Sequence, residues 1–498
     1  MARSSLLSLL LCFLVLVHAG VALATWQGQG QQGHQWKSGR RFQGQQNECR
    51  VKSIQALEPT NRIEAEGGVT EIWEQNNKQF ECAGVAVTRY RIQPKGLLLP
   101  YFGNTPKLGY VVQGTNIQYS GRGIFGVVIP GCPETYQSVQ QQSQQSEEEQ
   151  GRQRSAGDQH QKIRLLEKGD IVATPAGVAK WLYNEGEEEL IIVDLLDTSN
   201  DENQLDENPR KFYLAGNPQA REQQQQGQSQ GSQGQQQERG SNIFRGFKVE
   251  VLAEAFGVSK ETARKLQSED DKRGNIVRVK GGLQVIRPPE IKEQAQQEEQ
   301  EQEQQGRGNG IEETICSLGL KENIDNPSGA DVFNPRGGRI RNLNSHNLPI
   351  LGLLQLSAER GVLYRNALTS PHWNLNAHSL IYGTKGSAQI QIVGDYERPV
   401  FNGELREGQV LVVPQNFAVV KQAGDKGFEW IAFKTNNNAM TSTLAGRSSA
   451  LRGIPIEVLM NAYRVNRDEA RKLKNNRQEL AIFSPRPRSQ QDQGRATE

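Results

Sequence analysis

The chain has 498 residues, 35% of them hydrophobic and 23% charged, and its 58 Lys and Arg against 56 Asp and Glu leave a formal net charge of +2. So close a balance argues against a nucleic-acid partner. Past the N-terminus no stretch reaches the ~20 apolar residues of a membrane span, and the length predicts two or more domains.

Residues 1–24 read as a signal peptide. Arg3 supplies the positive start, Leu6 to Val17 the apolar run, and Ala22-Leu23-Ala24 the small-residue site, with cleavage between Ala24 and Thr25. Cys12 leaves with that segment. Cys49, Cys82, Cys132 and Cys316 remain, and in an oxidising lumen they predict two bridges with three pairings open. No Cys-x-x-Cys spacing points to zinc.

Residues 25–48 are Gln/Gly-rich and read as flexible. A first domain is expected over 49–270. Its strands are the short Val/Ile-rich runs at 84–92, 108–114, 124–130, 169–175 and 189–196, each bounded by Gly or Pro. Two Gln-rich inserts, 137–161 and 219–241, interrupt it; they hold too few large apolar residues to offset the entropy of ordering. Residues 251–266 predict two short helices. Val251, Leu252, Ala255 and Phe256 give the first an apolar face, and Ser259 caps the second. Residues 271–309 read as a linker, Gln/Glu-rich from 292. A second domain follows over 310–480, with strands at 348–361, 377–393, 408–414 and 428–434 and a second helical pair, where Asn466 and Glu469 form a capping box. Residues 481–498 read as a loose tail. The fold class is mainly β, antiparallel sandwiches or barrels, each followed by a helical pair.

The two domains repeat one another. Tyr110-Val-Val-Gln-Gly114 matches Tyr382-Gly-Thr-Lys-Gly386, and Gly169 to Pro175 matches Gly408 to Pro414. VLAEAFGVSKETARKL (251–266) and VLMNAYRVNRDEARKL (458–473) share eight of 16 positions without a gap. An internal duplication accounts for most of the ordered chain. The helical pair also resembles a helix-turn-helix, but the signal, the cysteines and the modest charge oppose DNA binding.

The segment Gly169-x5-Pro175-x-Gly177-x2-Lys180-x3-Asn184 resembles the second cupin motif at all fixed positions but one: Lys180 stands where that motif has a metal-binding His. Tyr101, Phe102 and Gly103 occupy the region of the first motif, which carries His-x-His and a Glu. In the second repeat His372 is kept, Asn374 replaces its partner imidazole, Asn416 replaces the Gly and Val419 the His. His372 and His378 are a pair of imidazoles too few for a catalytic ion, which needs several N/O ligands converging on one point. No metal and no cofactor are expected, and a metal-dependent cupin enzyme of the oxalate oxidase kind is the disfavoured alternative.

NGIEETIC (309–316) sets an Asn-Gly bond seven residues before Cys316, at the end of a polar tract open to proteases. Together with FYLAGNP (212–218), NIFRGF (242–247), GCPET (131–135) and HWNLNAH (372–378), this order and spacing resemble the legumin-type 11S seed storage globulins. The resemblance implies two cupin jelly rolls and a nutrient reservoir with no catalytic residues. It implies bridges Cys49–Cys82 and Cys132–Cys316, and cleavage at Asn309–Gly310 by an asparaginyl endopeptidase. It further implies a homotrimeric precursor, a hexameric mature form, passage through the endoplasmic reticulum to the storage vacuole, and no membrane partner. Residues 310–498 carry 23 Lys and Arg against 18 Asp and Glu, so the cut would yield an acidic and a basic chain. Leu252, Phe256, Leu459 and Tyr463 are the residues assigned to subunit contact.

Overall fold

The structure is a computed structural model that describes residues 49, 51–73, 77–114, 123–133, 136–137, 159–218, 240–285, 315–395 and 397–485. Ala24, Thr25, Asn309 and Gly310 lie outside the described residues, as do most of both inserts. Among the described residues no helix is long and apolar enough to cross a membrane.

The first half folds as two sheets. One runs in the order 61–65, 68–72, 85–92, 190–197, 107–113, 170–174 and 321–323, antiparallel throughout. The other runs 241–242, 211–213, 96–103, 179–184, 123–128 and 163–166, with 276–278 also paired to 96–103. The second half is one large curled sheet. Its strands Ser379–Val393 and Ala418–Lys434 are long enough to bend through two register shifts and pair with most of the others.

The apolar runs explain where the halves meet. Val410, Leu411, Val412 and Val413 are all fully buried. Leu411 and Val413 fill the second barrel's core, whereas Val410 and Val412 join Tyr382, Ile431 and Phe433 in the core shared with the first half. Alternate side chains leave a strand on opposite faces, so a strand apolar on both is one that is covered on both.

The helical pairs form where expected. Ser259 accepts the Thr262 amide, and Asn466 with Glu469 makes the capping box. The first pair turns at Gly257 in the left-handed region (φ 61°); the repeat places Arg464 there (φ 53°), a conformation that costs a side-chain-bearing residue more.

Four boundaries move. Within the expected linker, Ile276 and Val277 are buried and Ile276–Arg278 pairs with Gly96–Leu98. At the edges of the first insert Tyr136–Gln137 pairs with Gln159–His160, and the Gln161 amide group binds the Ile129 N–H and C=O and the Cys132 carbonyl. In the expected tail Ile482 and Phe483 are buried and pair with Leu368–Thr369. The domains also trade segments. Val51 and Ile54 belong to the core of the second barrel, and Lys321–Asn323 completes a sheet of the first. In each case short-range composition understated a few residues that long-range pairing holds.

Candidate functional sites

Two bridges are formed, Cys49–Cys82 with Cα atoms 4.7 Å apart and Cys132–Cys316 with Cα atoms 5.4 Å apart. The second spans 184 residues and ties the two halves of the chain together. In the chain-entropy account a loop of that length contributes roughly 5 kcal/mol in the intact chain.

The positions of the cupin ligands in the first barrel hold a lysine–tyrosine cluster. Tyr101 lies buried with its hydroxyl 3.1 Å from that of Tyr90 and 3.3 Å from Lys107 Nζ. Lys107 in turn pairs with the buried Asp194. Lys180 sits over the Tyr101 ring with Nζ 5.1 Å from its centroid. Burial, then the nearby Lys107, drives its ammonium pKa well below the usual value. Burial likewise pushes Tyr90 and Tyr101 up, so both stay neutral phenols.

The second barrel answers with different residues. Glu359 accepts from Lys434 at 2.9 Å and from the Trp430 indole at 3.2 Å, and Lys434 also donates to Asn374 at 3.0 Å. Lys421 lies over the Trp430 ring, 4.8 Å from its centroid. Burial raises the Glu359 pKa, but Lys434 and Lys421 outweigh it and hold the carboxyl below its usual range. His372 lies nearby with Nδ1 2.8 Å from the Ser370 carbonyl; burial, then Lys421, depresses it to about 3, so the ring is neutral. His378 turns to a different partner, with Nδ1 accepting from the Gln415 amide at 3.2 Å. Among the described residues no three His, Cys, Asp or Glu come together as ligands for an ion. A metal of the cupin kind does not fit: ammonium groups stand where lone pairs would be needed.

Between the barrels lie two related clasps. Arg89 donates to the Tyr382 hydroxyl at 2.9 Å and to Glu71 at 2.6 Å. Arg360 donates to Asp325 at 2.5 Å and to Glu429 at 2.5 Å, and the Tyr110 hydroxyl donates to the same Asp325 at 3.1 Å. The repeated tyrosines found in the sequence thus both face the opposite half.

The four residues assigned to subunit contact divide. Leu252 and Leu459 are 3% and 1% exposed, buried against their own chain, and this corrects their assignment. Phe256 and Tyr463 are 52% and 54% exposed, and Val251 and Val458 are exposed beside them. An eight-residue helix carries an apolar stripe wide enough for two surfaces, and only the outer one is free. Lys107, Asp194, Glu359, Lys421 and Lys434 were missed; the available signal was a charge at an inward phase of an apolar strand.

A family model for the cupins matches residues 54–220 and 322–471. The 11S globulin seed storage protein 1 of Carya illinoinensis is 51% identical over 527 residues, covering 100% of both chains. The 11S globulin seed storage protein Ana o 2.0101 of Anacardium occidentale is 52% identical over 480 residues, covering 95% of this chain and 97% of that one. Among solved structures, the coconut allergen cocosin matches with a TM-score of 0.74 at 48% identity, covering 88% of this chain and 100% of that one. A recombinant pro-11S globulin of pumpkin matches with a TM-score of 0.73 at 46% identity, covering 88% and 100%.

Proposed function

The chain belongs to the 11S globulin seed storage proteins, within the cupin family, and from that membership we propose how its storage role is built. It is a nutrient reservoir, and a non-enzymatic role goes with that family. The observation that carries this reading is the pair of barrel interiors in which Lys180, Tyr101, Asn374 and Val419 stand at cupin ligand positions. The chain enters the secretory pathway through residues 1–24, loses them after Ala24, and is stored in seed vacuoles. An asparaginyl endopeptidase cuts Asn309–Gly310, and Cys132–Cys316 keeps the acidic and basic products joined. The Gln-rich tracts add amide nitrogen at little structural cost, because lengthening a surface loop adds little closure entropy.

A gel of seed extract tests this. Without reductant one band is expected, and with it two of about 31 kDa (residues 25–309) and about 21 kDa (residues 310–498), at ~110 Da per residue. A single reduced band of full length would overturn the processing scheme. Stoichiometric manganese, iron or zinc in the purified protein would overturn the reservoir reading itself.

The exposed Phe256 and Tyr463 support self-association through the helical pairs, first as a homotrimer and, after cleavage, as a hexamer. Phe256→Asp with Tyr463→Asp is expected to give monomers on size-exclusion chromatography. Trimers that persist would exclude these faces from the contact.

A further inference from the structure

We propose that each barrel has exchanged the cation pocket of its fold for an anion pocket, in which a compact singly charged anion sits against a buried lysine. Both repeats show the same arrangement built from different residues. In the first, Lys107 is paired with Asp194, and a second lysine, Lys180, is only 3% exposed. In the other, Lys434 is paired with Glu359, and Lys421 is only 2% exposed. Each barrel therefore buries two ammonium groups around one carboxylate.

The second lysine of each set has an aromatic face and no hydrogen-bond acceptor. Lys180 Nζ lies over Tyr101 and Lys421 Nζ over Trp430, and neither ammonium donates a hydrogen bond to a described residue. Lys211 Nζ adds a third positive group in the first barrel, 5.3 Å from the Tyr90 centroid. Lys180 occupies the ligand position of the second cupin motif. In the repeat, that position is Val419, and Lys421 lies two residues on, hence on the same face of its strand. Val419 and Ala423, its neighbours on that face, are core residues.

An ammonium carries three donors and is strongly disfavoured in a core without partners. The carboxylates relieve it only in part, because Asp194 and Glu359 are each hydrogen-bonded to another lysine. Left alone, such a lysine is pressed toward its neutral form; burial lowers Lys421 to about 8 and Lys180 well below its usual value. A bound anion supplies the missing acceptor and keeps the ammonium charged. Lys211 apart, an anion of one charge balances the excess of one ammonium over the carboxylate in each set. The inference is independent of the reserve role.

Bromide is the probe. Crystals of the purified protein, with bromide replacing chloride, are expected to show an anomalous peak within hydrogen-bond distance of Lys180 Nζ and another at Lys421 Nζ. Lys180→Met should lose the first peak and keep the second, and Lys421→Met the reverse, so each variant carries the other site as a control of folding. In solution, bromide is expected to raise the melting temperature of the wild type and to raise it less in either variant. Three results would overturn the proposal: a wild-type map with peaks only on the surface, peaks that survive the methionine substitutions, or peaks in the crystal with no thermal shift in solution. The wild-type map decides the matter even if both variants fail to fold.

Discussion

Glu359→Gln is expected to destabilise the protein by about 3–5 kcal/mol at neutral pH, the range for removing one partner of a buried charge pair. Gln keeps the volume and leaves an oxygen to accept from the Trp430 indole, so the change isolates the charge. What it leaves is two ammonium groups, Lys434 and Lys421, both almost fully buried and without the carboxylate that stood beside them. The pH dependence has a definite sign. The folded pKa of Glu359 is held below its unfolded value, so its contribution is complete above the unfolded value of ~4.3 and fades as pH falls toward the folded one. The gap between wild type and variant should therefore stay constant from neutral pH to about 5 and narrow below that. Thermal melts followed by circular dichroism at several pH values measure it. A gap under ~1 kcal/mol at neutral pH, the net worth of an exposed pair, would show that the carboxylate is not needed as a counter-charge.

The strands were legible because most of them are apolar on at least one face. GQVLVVP and ELIIVDLL are continuous runs, and continuity marks a strand covered on both sides. The helical pairs were legible through their caps. What composition hides is pairing between distant residues. Lys321-Glu-Asn323 contains no apolar residue, and nothing local shows that it pairs with the strand that starts at Asp170, 151 residues before Lys321. Leu252 and Phe256 share one apolar stripe, and sequence cannot say which member turns inward. The lysine clusters were half legible. The loss of the cupin ligands was visible at Lys180, Asn374 and Val419, but the residues that replaced their chemistry come from other strands, where an inward charge looks like any surface one.

Once the backbone is cut between Asn309 and Gly310, the two products are expected to remain one particle even after Cys132–Cys316 is fully reduced. The traded segments hold them. From the second product, Lys321–Asn323 pairs with Asp170–Val172 of the first, Leu320 accepts the Ala173 amide at 2.8 Å, and Ile324 donates to Gly169 at 2.9 Å. From the first product, Ile54 donates to Val400 at 2.9 Å, and Leu57 and Val410 exchange backbone bonds at 2.8 and 2.9 Å. Val51, Ile54, Leu320 and Ile324 are each at most 4% exposed, and withdrawing such side chains costs ~1.5–3 kcal/mol apiece. Those four alone match or exceed the roughly 5 kcal/mol that the bridge contributes to the uncut chain. The apolar face between the barrels and the Arg89–Tyr382 and Tyr110–Asp325 hydrogen bonds come in addition. Cleaved, reduced protein should therefore elute as one species in native buffer and part into two only in denaturant. Ile54→Asp with Ile324→Asp, introduced into both traded segments, should allow reduction to separate the products in mild denaturant that leaves the wild type intact. Two peaks from reduced wild type in native buffer would mean that the disulfide, and not the exchange of strands, carries the union.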